Sequence, residues 1–198
     1  MTGFGAEREE RRLCVTATGE YEIYIKRGAG RNRSEELLYK AFDLYTGGSE
    51  PRPFLSKENN GKPFFAGKPD ICFSVTHSGD YWLCAFGNSR VGLDLQIRRP
   101  CRAEALAKRF FLPEEREFAE RSGYREFFTV WAAKESYVKY TGGGLREMLP
   151  GMCIVRSGEI SGEFAGLEIK PITFSPEYSL CICAEKITSI RFARIKGD

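Results

Sequence analysis

Ser78-Gly79-Asp80-Tyr81-Trp82-Leu83-Cys84-Ala85 and Ser175-Pro176-Glu177-Tyr178-Ser179-Leu180-Cys181-Ile182 repeat one pattern: a turn of small and acidic residues, then Tyr-x-Leu-Cys and an apolar residue. The two copies lie 97 positions apart in a chain of 198 residues. A separation so close to half the length predicts a duplicated architecture. Tyr45-Thr46-Gly47-Gly48 and Tyr140-Thr141-Gly142-Gly143 repeat at an offset of 95, each where a helical pattern ends and glycine suits the terminus. The echoes predict two similar halves, 1–100 and 101–198, joined near Arg98-Arg99-Pro100. Matches this short also arise between unrelated turns and strands, so the periodicity around them has to agree.

Outward from the first copy, residues 13–26 alternate and are rich in Val, Thr, Tyr and Ile, which predicts a strand. Ser34 is placed to cap a helix whose apolar face is Leu37, Leu38, Ala41 and Phe42. Residues 49–69 are dense in Pro, Gly and Asn and are expected to lack continuous regular structure, whereas 71–75, 82–86 and 91–95 read as short apolar strands. In the second half, 102–111 and 113–121 read as helices, the latter with Pro113 in its first turn and Glu114 and Glu115 behind it. Residues 124–140 form the longest predicted helix, with Phe127, Phe128, Val130, Trp131, Ala132, Tyr137 and Val138 on its apolar face and Gly142 to Gly144 ending it. Residues 152–155, 167–174, 180–184 and 187–195 alternate as strands. Helices and strands mixed in both halves, with neighbouring strands joined by short turns, predict the α+β class.

Composition narrows the function classes. With 42% hydrophobic and 29% charged residues, the chain is neither disordered nor fibrous. A net charge of +3 is too small for a protein that wraps nucleic acid, and the basic residues are interspersed with acids rather than arranged in an aromatic-studded stripe. Seven cysteines, no CxxC pair and one histidine argue against a structural zinc. Five of the cysteines lie in apolar, strand-like runs and read as buried, reduced thiols. The charged stretch Glu7-Arg8-Glu9-Glu10-Arg11-Arg12 does not resemble a signal peptide, and no run of eighteen apolar residues occurs, so a cytoplasmic, membrane-free protein is expected.

Four segments carry candidate chemistry. In Val91-Gly92-Leu93-Asp94-Leu95-Gln96 an acid interrupts an apolar strand, and burying it is costly unless it is paired or binds a cation. Strand alternation puts Asp94 and Gln96 on one face, where two oxygens can converge on a cation; pairing of Asp94 with Arg98 or Arg99 is the plainer alternative. In Trp131-Ala132-Ala133-Lys134-Glu135-Ser136-Tyr137-Val138-Lys139, Glu135 and Lys139 lie one helical turn apart. That is also the spacing of an ordinary surface ion pair worth about 0.3 kcal/mol, but the aromatic surroundings suggest partial desolvation. His77 stands in Ser74-Val75-Thr76-His77-Ser78-Gly79, a strand entering a turn, with no nucleophile elbow to make a hydrolase of it. Asn59-Asn60-Gly61-Lys62-Pro63 is a turn presenting a cation, with Lys57 before it, and is not a P-loop.

In this order, GKP at 61–63, S-x-T-H-S-G at 74–79, VGLDL at 91–95, FFLPEE at 110–115 and WAAKES-x-x-K at 131–139 resemble the motif series of the Sfp-type 4′-phosphopantetheinyl transferases, over roughly residues 55 to 145. The resemblance implies a pseudo-dimer of two similar α+β halves with the active site at their interface. It also implies magnesium-dependent transfer of phosphopantetheine from coenzyme A to a serine of an acyl or peptidyl carrier protein, releasing adenosine 3′,5′-bisphosphate. Asp94 and Glu135 match the magnesium ligands. Glu135, or a water it orients, matches the base for the carrier serine, and Lys139 the cation at the pyrophosphate or leaving group. Lys57 and Lys62 match positions that meet the nucleotide end of coenzyme A, and Ser74, Thr76 and His77 match the segment on its phosphates. Gln96 departs from the familiar Glu, costing the metal site one charge and implying a neutral or water-mediated ligand there. A homologue that binds coenzyme A or a carrier without turnover is the alternative. A carrier partner should be acidic and helical and meet basic and apolar groups of the second half, and an internally duplicated site needs no second chain, so a monomer is expected.

Overall fold

The computed structural model describes residues 18–28, 31–144 and 151–196. In chain order the elements are β1 (Glu20–Arg27), α1 (Ser34–Tyr45), β2 (Phe54–Lys57), β3 (Pro63–Ala66), β4 (Cys72–Ser78), β5 (Tyr81–Gly87), β6 (Val91–Ile97), α2 (Ala103–Phe110), α3 (Pro113–Arg121), α4 (Phe127–Thr141), β7 (Val155–Arg156), β8 (Glu159–Ile160), β9 (Glu163–Phe164), β10 (Leu167–Ile172), β11 (Tyr178–Ala184) and β12 (Ser189–Arg194). The class is α+β. One sheet has the order β12-β1-β5-β4 and the other β6-β11-β10-β9, while β2-β3 and β7-β8 are separate hairpins. Only the β1-β12 pair is parallel among these ladders. β6, although it precedes Arg98-Arg99-Pro100, is hydrogen-bonded to β11, and β12 returns from the far end of the chain to lie on β1.

The Leu-Cys echo has a packing meaning. Leu83 on β5 and Leu180 on β11 belong to one core cluster that also holds Tyr21, Ile23, Leu93, Leu95 and Ile182, so this cluster lies between the two sheets. The cysteines that follow point the other way, because successive strand residues alternate faces. Cys84 packs with Leu37, Ala41 and Phe42 of α1, and Cys181 and Cys183 pack with Val130, Ala132 and Ala133 of α4. Both central strands are thus covered on both faces, which is why they read as continuous apolar runs. Among the described cysteines, Cys84, Cys181 and Cys183 are buried as expected, whereas Cys72 and Cys153 are half-buried; Cys14 lies outside the described residues.

Several boundaries differ from expectation. The part of the first predicted strand before residue 18 lies outside the described residues; the remainder begins at Glu20. Ser34 does not cap α1: it is the first helical residue, and its hydroxyl accepts the Trp82 indole N–H at 2.9 Å. Residues 49–69 contain the β2-β3 hairpin. Phe65, 2% exposed, fills the core below α1, and this burial outweighs the turn-like composition of the segment. Pro63 opens β3, a position where its missing donor is tolerated. Only Val155 of the strand predicted at 152–155 is in a ladder, and β8 and β9, at two residues each, are too short to show a period. The buried face of α4 includes Thr129, Lys134 and Ser136 alongside its apolar residues.

Candidate active site

The site begins with a close approach of strand to helix. A Cβ built on Gly92 would stand 1.9 Å from the Ser136 carbonyl oxygen and 2.5 Å from the Tyr140 nitrogen, so only glycine lets β6 lie this near α4. Leu93 and Leu95 enter the core between the sheets, and alternation turns Gly92, Asp94 and Gln96 to the opposite, helix-facing side.

β4 reaches β6 through side chains. The hydroxyls of Ser74, Thr76 and Ser78 accept the backbone N–H groups of Leu93, Leu95 and Ile97 at 2.9, 3.1 and 2.9 Å. From Ser74 onward every second residue of β4 therefore supplies a rung where no backbone ladder joins the two sheets. The phosphate-contact expectation for Ser74 and Thr76 falls on hydroxyls that are buried and engaged in this way.

Asp94, 4% exposed, accepts hydrogen bonds on both oxygens. Lys139 Nζ approaches Oδ1 at 2.7 Å and the Thr76 hydroxyl donates to Oδ1 at 3.3 Å, while the Gln96 amide donates to Oδ2 at 2.7 Å. Lys139 also donates to the Val75 carbonyl at 3.3 Å. Among the described residues the alternative pairing with Arg98 or Arg99 does not occur: Arg98 donates instead to Ser179 and the Pro176 carbonyl, and the partners of Asp94 are Thr76, Gln96 and Lys139.

Glu135 is half-buried and makes no hydrogen bond or ion pair among the described residues. Burial raises its pKa to about 7, with the Asp94 charge adding to the rise and Lys139 opposing it. An unpaired carboxylate that feels a second carboxylate as a like charge suits a divalent cation shared between them. The oxygen donors fit a hard ion, and Gln96 offers a neutral third oxygen if its amide turns. No group of three or more His, Cys, Asp or Glu side chains converges among the described residues, so such an ion would draw its remaining ligands from substrate and water.

The other candidates are placed differently. Lys62 turns its ammonium inward, donating to the Val91 carbonyl at 2.9 Å and to the Lys139 carbonyl. Burial lowers its pKa to about 8. Lys57 and His77 are exposed and make no hydrogen bond to Asp94, Glu135 or Lys139 among the described residues.

A pair that the sequence reading did not single out lies beside the site. Lys134 Nζ meets Glu115 Oε2 at 2.8 Å, with side chains 1% and 0% exposed. Glu115 also accepts the N–H groups of Leu112 and Ile154 at 2.9 and 3.0 Å, and Lys134 donates to the Met152 carbonyl. The available signal was periodicity: Val130, Lys134 and Val138 recur every fourth residue on the buried face of α4, and a lysine on that line requires a buried acid.

The sequence model of the 4'-phosphopantetheinyl transferase superfamily matches residues 90–185, the span that carries Asp94, Gln96, Glu115, Lys134, Glu135 and Lys139. The 4'-phosphopantetheinyl transferase Sfp of Bacillus subtilis (strain 168) is 30% identical over 159 residues, covering 71% of this chain and 70% of its own length. A further 4'-phosphopantetheinyl transferase of Bacillus subtilis is 28% identical over 196 residues, with coverages of 90% and 86%. The 4'-phosphopantetheinyl transferase HetI of Nostoc sp. is 37% identical over 100 residues, with coverages of 46% and 42%.

Proposed function

Because the chain belongs to the 4'-phosphopantetheinyl transferase superfamily, as an enzyme of the Sfp type, we propose that it moves 4'-phosphopantetheine from coenzyme A to a serine hydroxyl of an acyl or peptidyl carrier protein and releases adenosine 3',5'-bisphosphate. The observation that carries this reading is the unpaired, half-buried Glu135 carboxylate beside Asp94 and Lys139, on a helix inside the matched span.

We further propose that magnesium is held by Asp94 and Glu135, with Gln96 as a neutral or water-mediated neighbour. When bound, such an ion supplies charge neutralisation at the pyrophosphate. The chain's own residues do the rest. Glu135 accepts the proton of the carrier serine, directly or through a water it orients, as its oxygen attacks the β-phosphorus of coenzyme A. Lys139 offers its ammonium to the oxygens of the departing bisphosphate, where charge grows as the phosphoanhydride bond breaks. Thr76 holds Asp94 by its hydroxyl proton while accepting the Leu95 N–H, so the carboxylate keeps one orientation. Lys57 and His77, exposed near the first half's strands, are proposed to meet the nucleotide and phosphates of coenzyme A.

The two-half reading, with halves 1–100 and 101–198, is also a proposal. Its support is the order of elements, although the second repeat opens on β6, ahead of the 100/101 join, and carries α2, α3 and β9 as additions: strand, helix, hairpin, strand, strand occurs as β1-α1-(β2-β3)-β4-β5 and as β6-α4-(β7-β8)-β10-β11, with sheet orders β1-β5-β4 and β6-β11-β10. No helix among the described residues is long and apolar enough to cross a membrane; a cytoplasmic, monomeric enzyme acting without nucleic acid is the reading we carry forward.

The test is intact mass spectrometry of an apo acyl carrier protein and an apo peptidyl carrier protein after incubation with the enzyme, coenzyme A and magnesium, with an EDTA control. A metal-dependent gain of one phosphopantetheine is expected on at least one carrier. No gain on either, from a folded enzyme that binds coenzyme A, would overturn the substrate assignment.

A further inference from the structure

The last turn of α4 leaves its carbonyls without helical partners, as every helix does. Here they are met from outside the helix. Lys62 donates to the Lys139 carbonyl, Arg90 Nε to the Tyr140 carbonyl, Arg90 Nη2 to the Thr141 carbonyl at 3.2 Å, and Asn60 Nδ2 to the same carbonyl at 3.1 Å. Two cations and an amide thus converge on the negative end of the helix dipole. They are fixed in turn: Glu58 grips both Arg90 terminal nitrogens at 2.6 and 2.7 Å, the Lys62 ammonium is braced on the Val91 carbonyl, and Lys62 N–H donates to Asn60 Oδ1 at 3.2 Å. Gly142, left-handed at φ 80°, closes the helix, and a Cβ there would strike the Asn60 side chain at 2.3 Å.

We infer that the turn between β2 and β3, with Arg90, is a clamp that positions Lys139, and that Asn60, Lys62 and Arg90 are positioning residues acting through the end of α4 rather than ligands of coenzyme A. The inference rests on the transferase reading above for what Lys139 does. The geometry is its warrant. Lys139 has its side chain on Asp94 and its own carbonyl under Lys62, so the backbone of the residue that meets the leaving group is tied to the first half of the chain. A one-residue fray at this end would carry Lys139 off Asp94 with no change to the strands. The clamp also explains why a loop-like segment is folded as a hairpin: Phe65 anchors its base and the tip holds the helix.

Steady-state kinetics and coenzyme A affinity of Asn60→Ala, Lys62→Met and Arg90→Lys test the clamp, together with amide hydrogen exchange of residues 139–143 in the ligand-free protein. A displaced catalytic group lowers turnover, so kcat is expected to fall on the order of tenfold or more while KM and calorimetric Kd for coenzyme A stay within about twofold. Amide exchange at 139–143 is expected to accelerate in all three variants and to stay unchanged in β11. A rise in Kd for coenzyme A with kcat preserved would make Lys62 a ligand contact and overturn the clamp, as would unchanged exchange at 139–143. If Lys62→Met does not fold, the exposed Asn60→Ala, which removes the bond to the Thr141 carbonyl and the one from the Lys62 N–H, carries the same two readouts. Loss of transfer by the wild-type enzyme counts against the transferase reading alone, and the exchange measurement still decides the clamp.

Discussion

Helix α4 carries two lysines five residues apart, each salt-bridged to an acid from another element, and the two pairs are built for opposite ends. Lys134 and Glu115 are sealed at 1% and 0% exposure, and backbone groups of Leu112, Ile154 and Met152 complete their hydrogen bonding. Lys139 is 29% exposed against an Asp94 at 5%, and the groups that complete the Asp94 shell are the Thr76 hydroxyl, pinned by the Leu95 N–H, and the half-buried Gln96 amide. Beside the second pair stands Glu135, unpaired among the described residues. A closed pair with fixed backbone partners holds α4 to α3 and to the 152–154 segment. An open pair with a solvent-reached ammonium and a free carboxylate beside it can exchange its contacts for those of a substrate.

The largest expected effect falls on the open pair's neighbour. Glu135→Gln removes the free carboxylate but keeps shape, and transfer to an apo carrier should fall by about 10²- to 10⁴-fold. The melting temperature should hold or rise, because Glu135 is a desolvated acid with no partner to lose. An active Glu135→Gln enzyme would sink the role given to this residue, and a collapsed one would make Glu135 structural after all.

The closed pair should answer the other way. Lys134→Met strands the Glu115 charge in the core, and urea unfolding should show a loss of about 3–5 kcal/mol. Replacing both partners, Lys134→Met with Glu115→Leu, should recover much of that, since an apolar pair needs no charge compensation. Lys139→Met should cost less than Lys134→Met, about 1–3 kcal/mol of stability, because the buried Asp94 it leaves keeps its Thr76 and Gln96 hydrogen bonds, and yet abolish transfer. Equal stability losses for the two lysine variants would erase the distinction drawn between the pairs.

Gly92 separates the pairs more finely. Its approach to Ser136 and Tyr140 sits on the stretch of α4 between and just beyond the two lysines. Gly92→Ala forces β6 from the helix at the position of the open pair and leaves α3 untouched, so overpacking should cost about 1–3 kcal/mol. Transfer should fall further than stability does, read as lost activity at temperatures where circular dichroism still reports a folded protein.

What was legible in the sequence follows from this contrast. The open pair announced itself, because an acid in the strand Val91-Gly92-Leu93-Asp94-Leu95 violates its own pattern and Glu135 and Lys139 share a helix face. The two central strands were legible too, since Leu83 and Leu180 face one core and Cys84 and Cys181 another, a two-sided burial that leaves an apolar run. The closed pair was not: Glu115 looks like any first-turn helix acid, and its buried state depends on the distant backbone of Ile154. The hydroxyl rungs of Ser74, Thr76 and Ser78 were equally hidden, because nothing local tells a hydroxyl that meets a phosphate from one that meets the amides of a neighbouring strand. Lys62 shows the same ambiguity. A cation in a Gly-containing turn reads as a ligand contact, and nothing local tells that tertiary structure also brings a helix terminus beneath it.

The smallest expected effect tests how far the open pair is tuned. Gln96 now donates to Asp94 Oδ2, a bond that an ionised Glu cannot make. Gln96→Glu therefore takes about 1 kcal/mol from the metal-free protein, through the lost hydrogen bond and the added like charge. A divalent cation reverses that balance, since a third anionic oxygen strengthens its site. The variant should melt slightly below the wild type in EDTA and gain more on addition of magnesium, as mass action requires of a tighter ligand. Turnover at saturating magnesium should remain within about threefold of wild type, because the proton acceptor and the leaving-group cation are unchanged. The half-saturating magnesium concentration should fall. An unchanged magnesium dependence would mean that position 96 does not face the ion, and that the neutral residue serves only to hold Asp94 in place.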